Sequence, residues 1–133
     1  MTGLYLHVPF CVKKCNYCDF YSISPTNELI CSYIGAMSAA AAKYAGERID
    51  TVYFGGGNPL LLGVDNLLRL LDKLGGIFDI ISNAEISLEA NPENVTPAAC
   101  AALRQGGFTR MSIGVQSLDD NLLALLGRRR RPA

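Results

Sequence analysis

The sequence predicts an α/β fold, a partial β/α barrel of about four parallel strands with crossover helices. Two observations lead to this prediction. Strand-like and helix-like runs alternate along the 133 residues, which is typical of a parallel sheet whose crossovers are helical. The strand-like runs also have one apolar and one polar face, whereas an open parallel sheet covered by helices on both sides is apolar on both faces. The pattern therefore favours a curved sheet around a polar cavity.

Four runs have the composition of strands. They are "LYLHV" (4–8), "TVYF" (51–54), "AEISLE" (84–89) and "TRMSIGV" (109–115). Because successive side chains of a strand point to opposite faces, the polar members of the first, third and fourth runs fall on one side. These are Tyr5, His7, Glu85, Ser87, Glu89, Arg110, Ser112, Gly114 and Gln116. We expect this side to face inward.

Helices are predicted between and after these strands, over 27–45, 65–74 and 97–105. The first ends at Gly46, and the third has Thr96 as its N-cap and Gly106 past its end. A fourth helix is expected after Ser117, with Asp120 as a weak capping-box partner.

Composition restricts the function classes. A chain of this size is one domain or part of one, and half of its residues are hydrophobic. Because 12 basic residues balance 12 acidic residues, whole-chain charge gives no case for nucleic-acid binding. No apolar run approaches the ~18 residues of a membrane span, and the N-terminus does not resemble a signal peptide. We therefore expect a cytoplasmic protein with reduced thiols.

The unusual segments all follow strands. A cysteine-rich loop follows the first strand, "GGGNP" (55–59) follows the second, Glu89 ends the third and Gln116 follows the fourth. Since ligands of parallel α/β structures bind at the carboxyl ends of the strands, we expect these segments to meet at one rim and form a binding site.

Three cysteines, Cys11, Cys15 and Cys18, form a CxxxCxxC pattern in this loop. Three thiolates can hold an iron–sulfur cubane and leave one iron open to a small molecule. The alternative is a closed Cys3His zinc site that uses His7, with no enzymatic role. The two remaining cysteines, Cys31 and Cys100, fall in predicted helices, where we expect small buried hydrophobic side chains.

Four blocks of the chain resemble a known family. They are "LYLHVPFCVKKCNYCDFYS", "DTVYFGGGNP", "SLEANPENVT" and "MSIGVQSLDDNLLALLGR". Together they resemble the radical S-adenosylmethionine superfamily and, within it, the oxygen-independent coproporphyrinogen III oxidase family. The resemblance implies that residues 1–133 are the N-terminal part of a truncated radical S-adenosylmethionine core domain. The oxidase proper has a fourth cysteine two residues after the triplet. This chain has Phe20 there, as in the haem chaperone branch.

The resemblance implies cofactors and site residues. The three cysteines would hold a [4Fe–4S] cluster, whose open iron binds S-adenosylmethionine and whose electron cleaves it to a 5′-deoxyadenosyl radical. The residues implied for S-adenosylmethionine are Tyr5, Tyr17, Gly56, Gly57, Asn58, Glu89, Gln116 and Arg128. The family usually has threonine where this chain has Asn58, and Glu89 has an alternative role as an ion-pair partner of Arg110. The other arginines of "GRRRR" are expected to be a solvated helix end.

The same resemblance implies partners. In the haem chaperone branch these are haem as bound cargo, an electron donor and haem-receiving respiratory proteins, and a need for the radical chemistry is left open. In the oxidase branch the substrate is a porphyrinogen, which is decarboxylated.

Overall fold

The computed structural model describes residues 2–128, and its centre is a sheet of four parallel strands. The strands are β1 (Gly3–Val8), β2 (Arg48–Gly56), β3 (Asp79–Ala90) and β4 (Arg110–Ile113). They lie side by side in the order β1-β2-β3-β4. In a β/α barrel, strands that are consecutive in sequence are also neighbours in the sheet. In a doubly wound sheet, by contrast, the strand order reverses at a switch point. The predicted fold class is confirmed.

Each crossover contains one main helix. The helices are α1 (Asn27–Ala41), α2 (Val64–Ile77) and α3 (Pro97–Gln105), and α4 (Asp120–Leu125) follows β4. The hydroxyl groups of Thr26 and Thr96 accept hydrogen bonds from N–H groups in the first turns of α1 and α3. Since an N-cap oxygen satisfies a donor that the helix itself leaves free, these two helix starts are determined locally.

Several boundaries differ from the predictions. The first helix ends at Ala41 and continues as a 3₁₀ turn before Gly46, whose φ is +85°. The last helix is capped by Asp119, whereas Ser117 accepts a hydrogen bond from the Asp119 N–H and Asp120 is the first helical residue. The predicted capping box is therefore wrong. The arginine run beyond Arg128 lies outside the described residues.

The apolar core lies on one face of the sheet. Leu6, Val52 and Leu88, from three neighbouring strands, are buried and belong to the same core cluster as Leu67 and Leu70 of α2. The opposite face is more open, since Tyr5 on β1 is 55% exposed. The predicted division into an apolar helix-facing side and a polar side is thus confirmed for β1. On the polar face of β3, Ser87 is buried and its hydroxyl donates to Glu85 at 3.2 Å.

The helices of residues 2–128 are all too short, or too polar, to cross a lipid bilayer.

Candidate functional site

A cavity of about 320 Å³ lies at the carboxyl ends of the strands. All four loops expected at this rim contribute to its wall. The lining residues are Cys11, Lys13, Lys14, Cys15, Tyr17, Cys18, Phe20, Ser22, Gly56, Gly57, Glu89, Ala90, Asn91, Ser112, Gly114, Gln116 and Arg128. The parallel register places the ends of neighbouring strands together, which is why segments far apart in sequence share one cavity.

The cysteine loop is held at both of its ends. Next to its first cysteine, the Cys11 N–H donates to the Ile23 carbonyl at 3.0 Å, and Phe10 forms a parallel bridge with Ile23. Its other two cysteines are the first and last residues of a tight turn, because the Cys18 N–H donates to the Cys15 carbonyl at 3.1 Å. All three thiols are free and half-buried.

Three thiolates from one loop are a donor set that fits an iron–sulfur cubane. Among residues 2–128 no three His, Cys, Asp or Glu side chains are grouped so as to hold one metal ion. In a cubane each thiolate binds a different iron, so its three cysteines need not converge on one point. His7, the fourth ligand of the zinc alternative, instead shares a hydrogen bond of 3.0 Å between its Nδ1 and the Tyr5 hydroxyl.

The environment of Cys11 favours its neutral thiol. Burial raises the pKa of the Cys11 thiol, and its neighbours Cys18 and Cys15 raise it further, whereas Arg128 lowers it. Since thiolates are the metal-binding form, binding of iron at Cys11 must release a proton.

The glycine segment at the end of β2 brings backbone close to the cysteine loop. The Gly57 N–H donates to the Val8 carbonyl at 2.7 Å. A Cβ atom at Gly57 would lie 2.5 Å from the Phe10 carbonyl oxygen and 3.1 Å from Cys11 Sγ. Glycine is required there because a side chain would displace the cluster loop. Gly56 has a φ of +106° and packs against the His7 ring.

Glu89 is fixed by two donors from β2. Its Oε1 accepts a hydrogen bond from the Tyr53 hydroxyl at 2.8 Å, and its Oε2 accepts one from the Gly56 N–H at 2.9 Å. The pKa of Tyr53 is raised to about 12 by burial and by this carboxylate. Arg110 pairs with Glu85 at 3.1 Å, so the alternative pairing of Glu89 with Arg110 is wrong.

The far wall of the cavity is built by Arg128, Gln116 and the loops they contact. The Arg128 guanidinium donates to the Asn91 side-chain oxygen at 2.6 Å and to the Tyr17 hydroxyl at 3.3 Å. Gln116 has a φ of 63°, which a non-glycine residue adopts at a cost and which is enriched at functional sites. Its amide lies near Gly114.

Two of the predicted residues do not line the cavity. Tyr5 lies on β1 and stacks on Tyr53 at a ring distance of 6.1 Å. Asn58 is buried behind the glycine segment and donates to the Asn94 side-chain oxygen at 2.6 Å. Its own oxygen has no partner among the described residues, and it borders a separate cavity of about 120 Å³.

The expectation for the remaining cysteines is partly wrong. Cys31 is exposed on α1, and Cys100 is half-buried in α3. Neither lines the cavity at the strand ends. The helical periodicity of the sequence did not distinguish the inner from the outer face of the alanine-rich helix α1.

Sequence reasoning missed Tyr53 and Asn91. The alternation of β2 places Tyr53 on the same face as Gly55, so strand periodicity could have found it. Asn91 directly follows β3, and the rule that selected the strand ends could have found it as well.

The comparisons with known proteins identify the family. A model described as the radical SAM superfamily matches residues 5–133. The chain belongs to the radical SAM superfamily. Membership implies a [4Fe–4S] cluster and S-adenosylmethionine as cofactors, in agreement with the thiols gathered at the strand ends.

Several curated relatives of this superfamily member are similar over nearly all of its length. "Heme chaperone HemW" of Mycobacterium tuberculosis is 41% identical over 137 residues, which is 98% of this chain and 35% of the relative. HemW of Escherichia coli is 35% identical over 95% of this chain and 35% of the relative. A bovine protein, "Radical S-adenosyl methionine domain-containing protein 1, mitochondrial", is 36% identical over 96% of this chain and 30% of the relative.

A solved structure also matches. It is the Escherichia coli coproporphyrinogen III oxidase HemN, described as a radical SAM enzyme, with a TM-score of 0.87 and 30% identity. The match covers 97% of this chain and 31% of HemN. The chain therefore spans about one third of the length of these relatives.

Proposed function

We propose that Cys11, Cys15 and Cys18 hold a [4Fe–4S] cluster and that S-adenosylmethionine binds in the adjoining cavity. One observation carries this proposal: the three free thiols line the same cavity as Glu89 and the glycine segment. In this reading residues 1–133 are the N-terminal part of a radical SAM core domain. When bound, the cluster supplies one electron to cleave the sulfonium of the cofactor.

The protein residues have distinct roles in this proposal. Glu89, held by Tyr53 and Gly56, accepts hydrogen bonds from hydroxyl or amino groups of the cofactor with its remaining lone pairs. The backbone of Gly57 allows close approach beside the thiols. Gln116 and Arg128 provide donors on the opposite wall, and Tyr17 orients Arg128 through its hydroxyl group.

Two residues are assigned indirect roles. Tyr5 supports the floor of the site by stacking on Tyr53. Asn58 supports the glycine segment from behind, because its N–H donates to the Phe10 carbonyl at 2.8 Å and its side chain donates to Asn94.

At the level of the whole protein, we propose haem binding and transfer. Support comes from the HemW relatives, which are named heme chaperones, and from Phe20, which occupies the position of the oxidase's extra cysteine. Phe20 lines the cavity, is 62% exposed and meets the His7 ring edge-on at 6.4 Å. An apolar ring there suits a flat apolar ligand better than a thiol does. In this proposal haem is the bound cargo. The partners are an electron donor and the respiratory proteins that receive haem, and the protein works in the cytoplasm.

The alternative is an anaerobic coproporphyrinogen III oxidase, which the structural likeness to HemN favours. The two functions differ in whether the bound tetrapyrrole is chemically changed. The oxidase converts a porphyrinogen with consumption of S-adenosylmethionine, whereas the chaperone binds haem unchanged.

The test begins with anaerobic reconstitution of the chain with iron and sulfide. We expect a broad charge-transfer band that bleaches on reduction, and about four irons per chain if the cluster is a cubane. A colourless protein with one tightly bound zinc that His7→Ala loses would contradict the proposal. Haem titration and analysis of coproporphyrinogen products then separate the two functions. Haem binding without decarboxylation supports the chaperone, and decarboxylated product supports the oxidase.

A further inference from the structure

The turn that carries two of the cysteines is held by the end of a helix that follows the last strand. The two central residues of the turn, between Cys15 and Cys18, are Asn16 and Tyr17. Both are hydrogen-bonded to the segment Leu125–Arg128, about 110 residues away in sequence. We call this segment the clasp.

Asn16 makes two hydrogen bonds to the clasp. Its backbone N–H donates to the Leu126 carbonyl at 3.1 Å, and its side-chain amide donates to the Leu125 carbonyl at 2.8 Å. These carbonyls belong to the last turn of α4, where helical partners run out. Asn16 therefore completes the end of α4 while α4 fixes the cysteine turn.

The clasp is shaped for this contact at Gly127. This residue has a φ of +72°, and a Cβ atom there would lie 2.7 Å from the Asn16 side-chain oxygen. The next residue, Arg128, donates to the Tyr17 hydroxyl. Neighbouring residues of the turn thus meet neighbouring residues of the clasp.

The first cysteine is held by other means. The Cys11 N–H donates a hydrogen bond to the Ile23 carbonyl. The carbonyl of the preceding residue, Phe10, accepts a hydrogen bond from the Asn58 N–H. Outside the loop, the clasp also donates to Asn91 through Arg128. Within the cysteine loop, the clasp has described hydrogen bonds only to the turn that bears Cys15 and Cys18. It consequently determines where these two thiols stand relative to Cys11, which is the spacing that a three-thiolate cluster depends on.

We propose that Asn16 is a positioning residue for the cluster, and that the clasp controls access to Cys15 and Cys18 without controlling access to Cys11. The part of this inference that concerns the cluster rests on the proposed function. The part that concerns the thiols can be tested on the protein without metal, so the two can fail separately.

The experiment compares Asn16→Ala with a matched control, Asn66→Ala. Asn66 also donates its side-chain amide to a backbone carbonyl, that of Leu62 at 2.9 Å, but it lies on α2 away from the loop. Alkylation rates of each cysteine in the metal-free chain are measured by mass spectrometry. Cys100, which is half-buried in α3 outside the loop, reports global unfolding within the same molecule, and the exposed Cys31 serves as the reference for intrinsic thiol reactivity.

We expect Asn16→Ala to raise alkylation of Cys15 and Cys18 by about two- to fivefold, the effect of losing one hydrogen bond, while the rates at Cys11 and Cys100 stay unchanged. Asn66→Ala should leave the three loop cysteines at their original rates. The inference is overturned if the alkylation rates of Cys15 and Cys18 are the same in Asn16→Ala as in Asn66→Ala. It is also overturned if the rate rises uniformly at every cysteine.

A second variant approaches the contact from the helix side. Gly127→Ala should produce the same selective rise, and the double variant with Asn16→Ala should show less than the product of the two effects, because both remove the same contact. The inference is overturned if the effects of Asn16→Ala and Gly127→Ala on the alkylation rates simply multiply in the double variant.

In the reconstituted chain the clasp has a spectroscopic readout. Asn16→Ala should lose iron to a chelator faster and show an altered electron paramagnetic resonance line shape, whereas Asn66→Ala should match the unmodified chain. If the unmodified chain takes up no cluster, the proposed function fails. The alkylation result still decides whether the clasp controls access to Cys15 and Cys18. A cluster unchanged in both stability and line shape would overturn the positioning role.

Discussion

The Tyr53 hydroxyl donates a hydrogen bond of 2.8 Å to Glu89, linking the second strand to the third at the rim of the cavity. The second oxygen of Glu89 is occupied by the Gly56 N–H. Since a carboxylate has about four acceptor positions, Glu89 is held in place and still has lone pairs for a ligand. A fixed acceptor beside three thiols is the feature on which the first prediction depends.

Glu89→Ala should weaken S-adenosylmethionine binding by about 10- to 100-fold, because a hydrogen bond to a charged group contributes roughly 1.5–3 kcal/mol. The iron content should not change. The measurement is anaerobic calorimetric titration of the reconstituted chain. Glu85→Ala is the control, since it removes a carboxylate whose partner Arg110 is exposed and whose pairing contributes little. Equal affinity losses in both variants would contradict a specific role for Glu89.

Tyr53 provides a prediction about pH. Its pKa is raised from 10.0 to about 12, first by burial and then by the hydrogen bond to Glu89. Because the folded state favours the neutral phenol, its contribution to stability is fully present below the unfolded pKa of 10.0 and is lost as the pH rises through about 12. The melting-temperature difference between the unmodified chain and Tyr53→Phe should be constant up to about pH 10 and should shrink above it. A difference that already shrinks at neutral pH would contradict this assignment.

Gly57→Ala should remove the cluster and destabilise the chain. Its Cβ would lie 2.5 Å from the Phe10 carbonyl oxygen and 2.9 Å from that of Val8, and backbone atoms cannot move aside as a flexible side chain can. Overpacking of this kind costs about 1–3 kcal/mol. Iron content after reconstitution and thermal melting measure the effect.

The control for this variant is Gly35→Ala. Gly35 lies inside α1 with nothing near its Cβ position, so alanine should raise helix stability by about 0.5–1 kcal/mol. Cluster content equal in both alanine variants would show that the glycine segment is not a constraint on the loop.

The cysteines separate by role. Each of the single substitutions Cys11→Ser, Cys15→Ser and Cys18→Ser should abolish the iron–sulfur absorption, since a three-thiolate site has no spare ligand. Cys31→Ser and Cys100→Ser should retain it, because neither residue lines the cavity. Iron and sulfide analysis measures both groups, and a full cluster in any of the first three variants would mean that another ligand replaces the missing thiol.

Much of the fold could be predicted from the sequence because its determinants are local. The strand alternation of β1 and the Thr96 cap depend on neighbours within four residues, and both appear where expected. The boundaries of β3 could not be predicted. This strand begins at Asp79, five residues before its predicted start, because it pairs there with Arg48 across the sheet, a partner that no local pattern reveals.

The sequence by itself determined that three thiols, a glycine segment and two polar strand ends meet at one rim, since parallel strands place their carboxyl ends together. Only the tertiary structure decided which groups touch. It paired Glu89 with Tyr53 and Gly56 and left Arg110 to Glu85, it placed Asn58 behind the cavity wall, and it joined Asn16 to the end of α4. The physical reason is that a strand pattern specifies the face of a side chain, whereas a hydrogen bond depends on distances of a few tenths of an ångström between segments far apart in the chain.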